Sequence, residues 1–297
     1  MSNQGTHNTI PVAIIGTGNI GSDLLVKVLR SPYLTCAMFT GQHPDSPGIA
    51  RARELNIPTS ADSIAAIERD PGCCDIVFDA TTAEAHRRHA TVLARLKKFV
   101  IDMTPSQAGG MCVPLLNLED SLAKQNVNMV TCGGQANAPI ARAIMAVHPD
   151  IQYMEVVSSI ASKSAGIGTR NNIDEYTQTT SDGIRALAGV PQVKTIIILN
   201  PADPPYLMHN TLYAEIERPD LPALERSIKH TVEKIREYVP GFRLLYGPVQ
   251  ESGRVTTITE VVGRGDYLPA YAGNLDIINC AAVAVAERYA KKKLGLH

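Results

Sequence analysis

Apolar positions along this chain come in two kinds of stretch: short uninterrupted runs, and longer segments in which they recur every three or four residues. Ile10–Ile15 is the first short run, with Pro11 near its start, and predicts a strand. Leu24, Leu25, Val28 and Leu29 follow at helical spacing and stop near Ser31-Pro32. The same alternation recurs. Leu34–Phe39, Asp75–Ala80 and Lys98–Asp102 read as strands, with a helix from about Glu84. Val127–Val130 reads as a buried strand that stops before Cys132, and Gly133-Gly134 turns the chain into a segment with Ile140, Ile144 and Val147 at helical spacing. Strand–loop–helix units with polar loops at the carboxyl ends predict an α/β, Rossmann-type doubly wound sheet.

From Ile151 the pattern changes. Tyr153–Ile160, Thr195–Leu199, Leu212–Ile216 and Arg254–Val262 read as strands, the last with exposed threonines, and few helices lie between them. Leu224, Ile228, Val232 and Ile235 mark one amphipathic helix in Leu221–Tyr238, and Ala- and Val-rich Leu275–Tyr289 predicts a buried one. This series predicts a second, mixed or antiparallel α+β lobe, with the last helix returning to the first domain. The expected division is a dinucleotide-binding domain over 1–131, completed by 274–297, and a catalytic and dimerisation domain over 132–273.

Composition narrows the function classes. The 297 residues are 44% hydrophobic with a formal net charge of -1. A large core is therefore available, while the concentrated basic surface that nucleic acid or an anionic membrane requires is not expected. Lys291-Lys292-Lys293 reads as a solvated helix end. The polar Met1–Thr9 does not resemble a signal peptide, and no apolar run has spanning length. The six cysteines are irregularly spaced, which does not suggest a disulfide framework. A cytoplasmic protein is expected.

Gly16-Thr17-Gly18-Asn19-Ile20-Gly21 is a G-x-G-x-x-G between a strand and a helix. Gly16 suits the tight turn, Gly18 the approach of a pyrophosphate and Gly21 the packing of helix on strand. The second strand is followed by Thr40-Gly41-Gln42-His43, with neither a carboxylate for a ribose nor an arginine for a 2′-phosphate immediately at its end. That leans toward NAD and leaves NADP open. Cys132, between a strand end and a helix start, has either a structural or a nucleophilic reading. Helix N–H groups and the dipole favour its thiolate, and the adjacent glycines let a substrate carbonyl come close. Ser162–Asn172, rich in small, hydroxyl and basic residues, suits phosphate or carboxamide contact, or simply caps the next helix. His86-Arg87-Arg88-His89 reads as a solvated helix face. Adjacent Cys73-Cys74 lacks the usual C-x-x-C clasp, so no metal is expected.

Several long motifs in order carry a resemblance that covers nearly the whole chain. They are 14–21, 126–136 around Cys132, 162–174, 200–205 and 267–276. Together they resemble the acylating acetaldehyde dehydrogenases, NAD-dependent enzymes that work with 4-hydroxy-2-oxovalerate aldolase in aromatic catabolism. The resemblance implies that Cys132 is the acyl-thioester nucleophile. It implies cofactor contacts from Thr17 to Ile20, from Ser164, Ala165, Gly166, Gly168, Thr169, Arg170, Asn171 and Asn172, and from Asn274. Acetaldehyde or propanal would be the substrate, coenzyme A the acyl acceptor, and a homo-oligomer with an aldolase partner the assembly. The oxyanion is expected to be held by N–H groups near the Gly133-Gly134 turn. The chain departs from the family in three places. Asn210, given an auxiliary catalytic role here, stands where an aspartate is usual. Ala136-Asn137-Ala138 replaces the more usual Ala-Thr-Ile, and 243–267 looks short. His209 does not substitute for the missing carboxylate, because adjacent strand residues face opposite ways. A semialdehyde-dehydrogenase-like reductase using phosphate as acceptor, and a weakly active dinucleotide-binding partner of an aldolase, remain the alternatives.

Overall fold

The computed structural model describes residues 9–166, 169–170 and 173–296. The expected Gly168, Asn171 and Asn172 contacts lie outside the described residues. The chain divides into two compact units: 1–110, 122–128 and 282–297 in the first, 111–121 and 129–281 in the second.

The first unit, whose first segment ends within β6, is built on β1 (Ile10–Ile15), β2 (Leu34–Thr40), β3 (Thr59–Ser60), β4 (Ile76–Asp79), β5 (Phe99–Asp102), β6 (Gly110–Met111) and β7 (Asn126–Asn128), in the sheet order β3-β2-β1-β4-β5-β7-β6. The pairings from β3 across to β7 are parallel. Every residue of β4 and β5 is buried, which explains their apolar character. Between the strands run α1 (Asn19–Arg30), α2 (Pro47–Glu54), α3 (Ile64–Arg69) and α4 (Ala83–Arg95). This is the expected doubly wound α/β arrangement. The strand order reverses direction at β1 and β4, beside which such sheets bind their ligands.

In the second unit β8 (Tyr153–Ala161), β9 (Gln192–Asn200), β10 (Met208–Glu215), β11 (Phe242–Glu251) and β12 (Arg254–Val261) form a sheet in the order β11-β12-β10-β8-β9. Only β8–β9 pair in parallel, so the lobe is mixed as expected. The helices are α5 (Pro114–Ser121), α6 (Cys132–Val147), α7 (Ile173–Ala188), α8 (Leu221–Arg236) and α9 (Gly273–Lys293), whose end from Ala282 belongs to the first unit. Ile140 and Ile144 of α6, Ile184 of α7 and Leu224 and Ile228 of α8 share one core with Met154, Val156 and Leu212 of the sheet. The opposite side is more open, and Ile198, Leu245 and Tyr246 are exposed.

Three local expectations need correction. Gly133 and Gly134 lie inside the first turn of α6, because Thr131 caps that helix and Cys132 already opens it. β12 buries Val255, Thr257, Thr259 and Val261, so two of its threonines face inward; a strand's period of two overrides their polarity. His86 and His89 are buried rather than solvated, both hydrogen-bonded to the buried Asp79. β11, within the stretch that looked short, carried no strand signal, since its exposed and half-exposed residues do not alternate cleanly.

Candidate active site

Cys132 stands at the head of α6 and is only half-buried. Its placement is enforced two residues earlier. Val130 is a buried β-branched residue with φ 58°, a left-handed conformation that such side chains rarely adopt. Its isopropyl group fills the space beside Gly134 and Gly183, where an added Cβ would lie 2.6 and 2.5 Å from Val130 Cγ1. Thr131 then ties α6 to α7. Its Oγ1 accepts from Gly134 N–H at 2.9 Å and lies 2.7 Å from Thr180 Oγ1, which donates to the Tyr176 carbonyl at 2.7 Å.

Around the sulfur lies a network that the sequence reading missed. Tyr176 Oη is 3.4 Å from Cys132 Sγ and accepts from Gly133 N–H at 3.1 Å. Ser158 Oγ and that phenol both border the space a Gly133 Cβ would fill, and Ser158 donates to Asn210 Oδ1 at 2.9 Å. Asn137 Nδ2 reaches Asn210 Oδ1 at 3.2 Å, Ser158 Oγ at 3.4 Å and the Gly133 carbonyl at 2.8 Å. Asn210 is buried, and its Nδ2 has no hydrogen-bond partner among the described residues. The available sequence signal was Tyr176 with Thr179, Thr180, Gly183 and Ile184, one buried helical stripe headed by a polar tip. No local pattern marks Ser158 or Asn137, which only the fold brings to that tip.

The electrostatics correct two expectations. Burial pushes the Cys132 thiol above its ordinary value, and hydrogen bonds from Tyr176 and Gly133 N–H only partly oppose that. The helix start therefore does not leave a resting thiolate, because the desolvation of sulfur is the larger effect. Nor are the Gly-Gly N–H groups free for an oxyanion: Gly133 N–H serves Tyr176 and Gly134 N–H serves Thr131. His209 does face away from Asn210, as expected; its Nε2 lies 2.8 Å from Glu260, which Arg243 also contacts.

The glycine motif of the first unit has the shape a dinucleotide needs. Gly16 adopts φ 112°, and a Cβ there would sit 2.4 Å from the Ala80 carbonyl oxygen. At Gly21 the corresponding distance to the Gly16 carbonyl oxygen is 1.8 Å. Gly18 faces open space, caps α1 without a side chain and is exposed together with Asn19. Thr17, half-exposed like Ile20, receives a hydrogen bond from Ser46 at 2.9 Å. In the second unit the fold brings Ser164 and Asn274 together from distant segments, Oγ to Oδ1 at 2.7 Å. Ala165 and Ser162 are joined by Arg170, through its Nε at 3.2 Å to the Ala165 carbonyl and its Nη2 at 2.9 Å to Ser162 Oγ. Gly166 is exposed and Thr169 half-exposed.

Comparison with known proteins decides the family. Residues 132–269 match the model of the prokaryotic acetaldehyde dehydrogenase dimerisation domain. An acetaldehyde dehydrogenase of Pectobacterium atrosepticum is 51% identical over 96% of this chain and 97% of its own. The chain belongs to the acetaldehyde dehydrogenase family. Other family members, from Spirochaeta aurantia and Geobacillus stearothermophilus, are 48% and 49% identical over 95% and 96% of this chain and 95% and 98% of theirs. The family's two-unit fold is shared more widely. Aspartate semialdehyde dehydrogenase with NADP from Candida albicans superposes with TM-score 0.66 at 10% identity, covering 97% of this chain and 99% of that one. The Vibrio cholerae aspartate semialdehyde dehydrogenase II complexed with ASA superposes with TM-score 0.63 at 14% identity, over 96% and 99%.

Proposed function

We propose that this oxidoreductase converts a short aldehyde, acetaldehyde or propanal, into an acyl thioester on Cys132 and passes the acyl group to coenzyme A. The observation that carries this reading is a half-open cysteine at a helix start, in an otherwise buried polar network, within a chain about half identical to acetaldehyde dehydrogenases. A nicotinamide dinucleotide, NAD by preference, supplies the hydride acceptor when bound. The uncapped start of α1 and the open side of Gly18 suit its pyrophosphate, and Ser164 and Asn274 are further contacts we assign to it.

The chain's own part begins with loss of the thiol proton to water on the open side of Cys132. Because burial holds that thiol up, this step sets the alkaline demand of the reaction. The thiolate adds to the carbonyl carbon, hydride leaves that carbon, and the acyl group stays on sulfur. The thiolate of coenzyme A attacks the thioester, and Cys132 departs as thiolate, a good leaving group as well as a good nucleophile. Asn210 is auxiliary: its amide oxygen accepts from Ser158 and Asn137, and the side chain cannot take a proton.

A homo-oligomer fits the dimerisation domain that the chain matches, and we assign its interface to the open side of the second sheet around Ile198 and Tyr246. A cytoplasmic location and an aldolase partner belong to the same reading. The deciding experiment assays short aldehydes with NAD and NADP, with and without coenzyme A, on the parent and on Cys132→Ser. The expected outcome is coenzyme A-dependent NADH formation that the substitution abolishes. Turnover retained in Cys132→Ser, or phosphate replacing coenzyme A, overturns the reading. Co-elution with 4-hydroxy-2-oxovalerate aldolase tests the partner, and separate peaks at high concentration remove it.

A further inference from the structure

Among the described residues, Tyr176 is the hydroxyl within hydrogen-bond reach of the reacting sulfur, and the direction of its hydrogen follows from its neighbours. Tyr176 Oη already accepts from Gly133 N–H, so one lone pair is occupied and the phenol is fixed in place. Its single hydrogen can point to Cys132 Sγ at 3.4 Å. The hydrogen of Ser158 is directed to Asn210 Oδ1 at 2.9 Å, and Asn137 Nδ2 donates to Ser158 Oγ. The Ser158 hydrogen is thereby engaged, and a thiolate is a stronger acceptor for the phenol than a neutral oxygen.

We propose that Tyr176 is a catalytic hydrogen-bond donor whose hydroxyl donates to Cys132 Sγ whenever that sulfur carries charge. The inference rests on Cys132 being the nucleophile. No proton is transferred to or from Tyr176 in the cycle. Its O–H donates to the thiolate before attack, releases the sulfur while it is a thioester, and donates again as Cys132 leaves. Burial and the neighbouring sulfur hold the phenol well above its ordinary range, so it remains protonated throughout. The groups that this network places around the pair are Asn137 from α6, Ser158 from β8 and Asn210 from β10. None is charged at neutral pH, so no carboxylate or ammonium in the network competes with the phenol for control of the thiol.

The test reads Cys132 directly. Alkylation by iodoacetamide is followed across pH by mass spectrometry of the Cys132 peptide, which requires neither aldehyde nor cofactor. In Tyr176→Phe the ring remains and the donor is lost. The alkylation midpoint should rise by about one to two pH units, the equivalent of one hydrogen bond to a charged group. kcat should fall about tenfold or more at neutral pH. Should Tyr176→Phe not fold, 3-fluorotyrosine at position 176, a stronger donor of nearly the same shape, reads the same bond, and the midpoint should fall. An unmoved midpoint in Tyr176→Phe, or an unmoved one with 3-fluorotyrosine, overturns the proposal and leaves Tyr176 as packing. Failure of the aldehyde assay with the expected alkylation shifts would instead overturn the activity reading and leave the donor role intact.

Discussion

Each unit of this protein buries a polar network, and the two are built on opposite principles. In the first unit the network is charged. Asp79 Oδ2 receives His86 Nδ1 at 2.9 Å and His89 Nδ1 at 2.8 Å, and its Oδ1 receives Thr81. Asp102, one strand over, accepts from Thr104, Ser106 and Asn128 and lies 3.4 Å from His86 Nε2. Burial alone would raise the Asp79 carboxyl, but the two histidines outweigh it and bring it down to about 2. His86 is raised, since its bond to Asp79 and the Asp102 charge exceed its desolvation, whereas burial prevails at Asp102 and raises it. In the second unit the network around Cys132 holds hydroxyls and amides only, and burial keeps its thiol protonated at rest. Opposite charges a hydrogen bond apart hold one another in place. A neutral network leaves its single ionisable sulfur able to change state without a fixed charge opposing or trapping it.

The largest effect is expected from breaking the charged side. Asp79→Ala leaves two buried imidazoles without their acceptor and should cost roughly 3–5 kcal/mol of stability, read by urea unfolding. A smaller effect follows from pH alone. Asp79 is lower in the fold than in the open chain, so its contribution is complete above about pH 4 and is lost as pH falls toward about 2; it amounts to roughly 2–3 kcal/mol. His86 is raised, so its contribution is complete below about pH 6.5 and is lost as pH rises through its folded value. Asp102, also raised, opposes the fold as pH climbs above about 4. Urea midpoints in the parent should peak between these limits, and the acid limb should flatten in an Asp79→Asn background.

On the neutral side, Asn210→Asp puts a carboxylate where the structure supplies hydroxyl and amide partners but no cation. A loss of about 1–3 kcal/mol is expected at pH 8, shrinking at pH 5 as the carboxyl takes up its proton. A loss independent of pH would mean that the second network tolerates charge as the first does, and the contrast would fail. Smaller in stability but visible in rate is Gly133→Ala. Its Cβ would come 2.4 Å from Tyr176 Oη and 2.9 Å from Ser158 Oγ, so the hydroxyl must move away from the sulfur. About 1–2 kcal/mol of stability and a tenfold or greater loss of Cys132 alkylation rate are expected, by melting and by mass spectrometry.

How much of this was legible beforehand depended on how local each cause is. β1, the glycine turn and α1 are written in neighbouring residues, because a tight turn and a close helix–strand approach need glycine where they occur. Cys132 was visible for a similar reason, as a thiol between a strand signal and a helix signal. Its protonation was not, because desolvation is summed over elements that are distant in sequence. His86 and His89 were misread as solvated because their partner, Asp79, sits on the preceding strand and a helical wheel does not show it. β11 gave no signal because its pairing with β12 is set by hydrogen bonds along the backbone, and its side chains remain largely outside.

By itself, the sequence determined the parallel sheet with its nucleotide turn, the mixed second lobe and the cysteine at a helix head. Those follow from hydrophobic period and glycine spacing, which are properties of adjacent residues. The tertiary structure alone decided that Tyr176, Ser158, Asn137 and Asn210 meet beside that cysteine. Hydrogen-bond partners are chosen by position in space, and these four come from two helices and two strands spread across 74 positions of the chain, from 137 to 210.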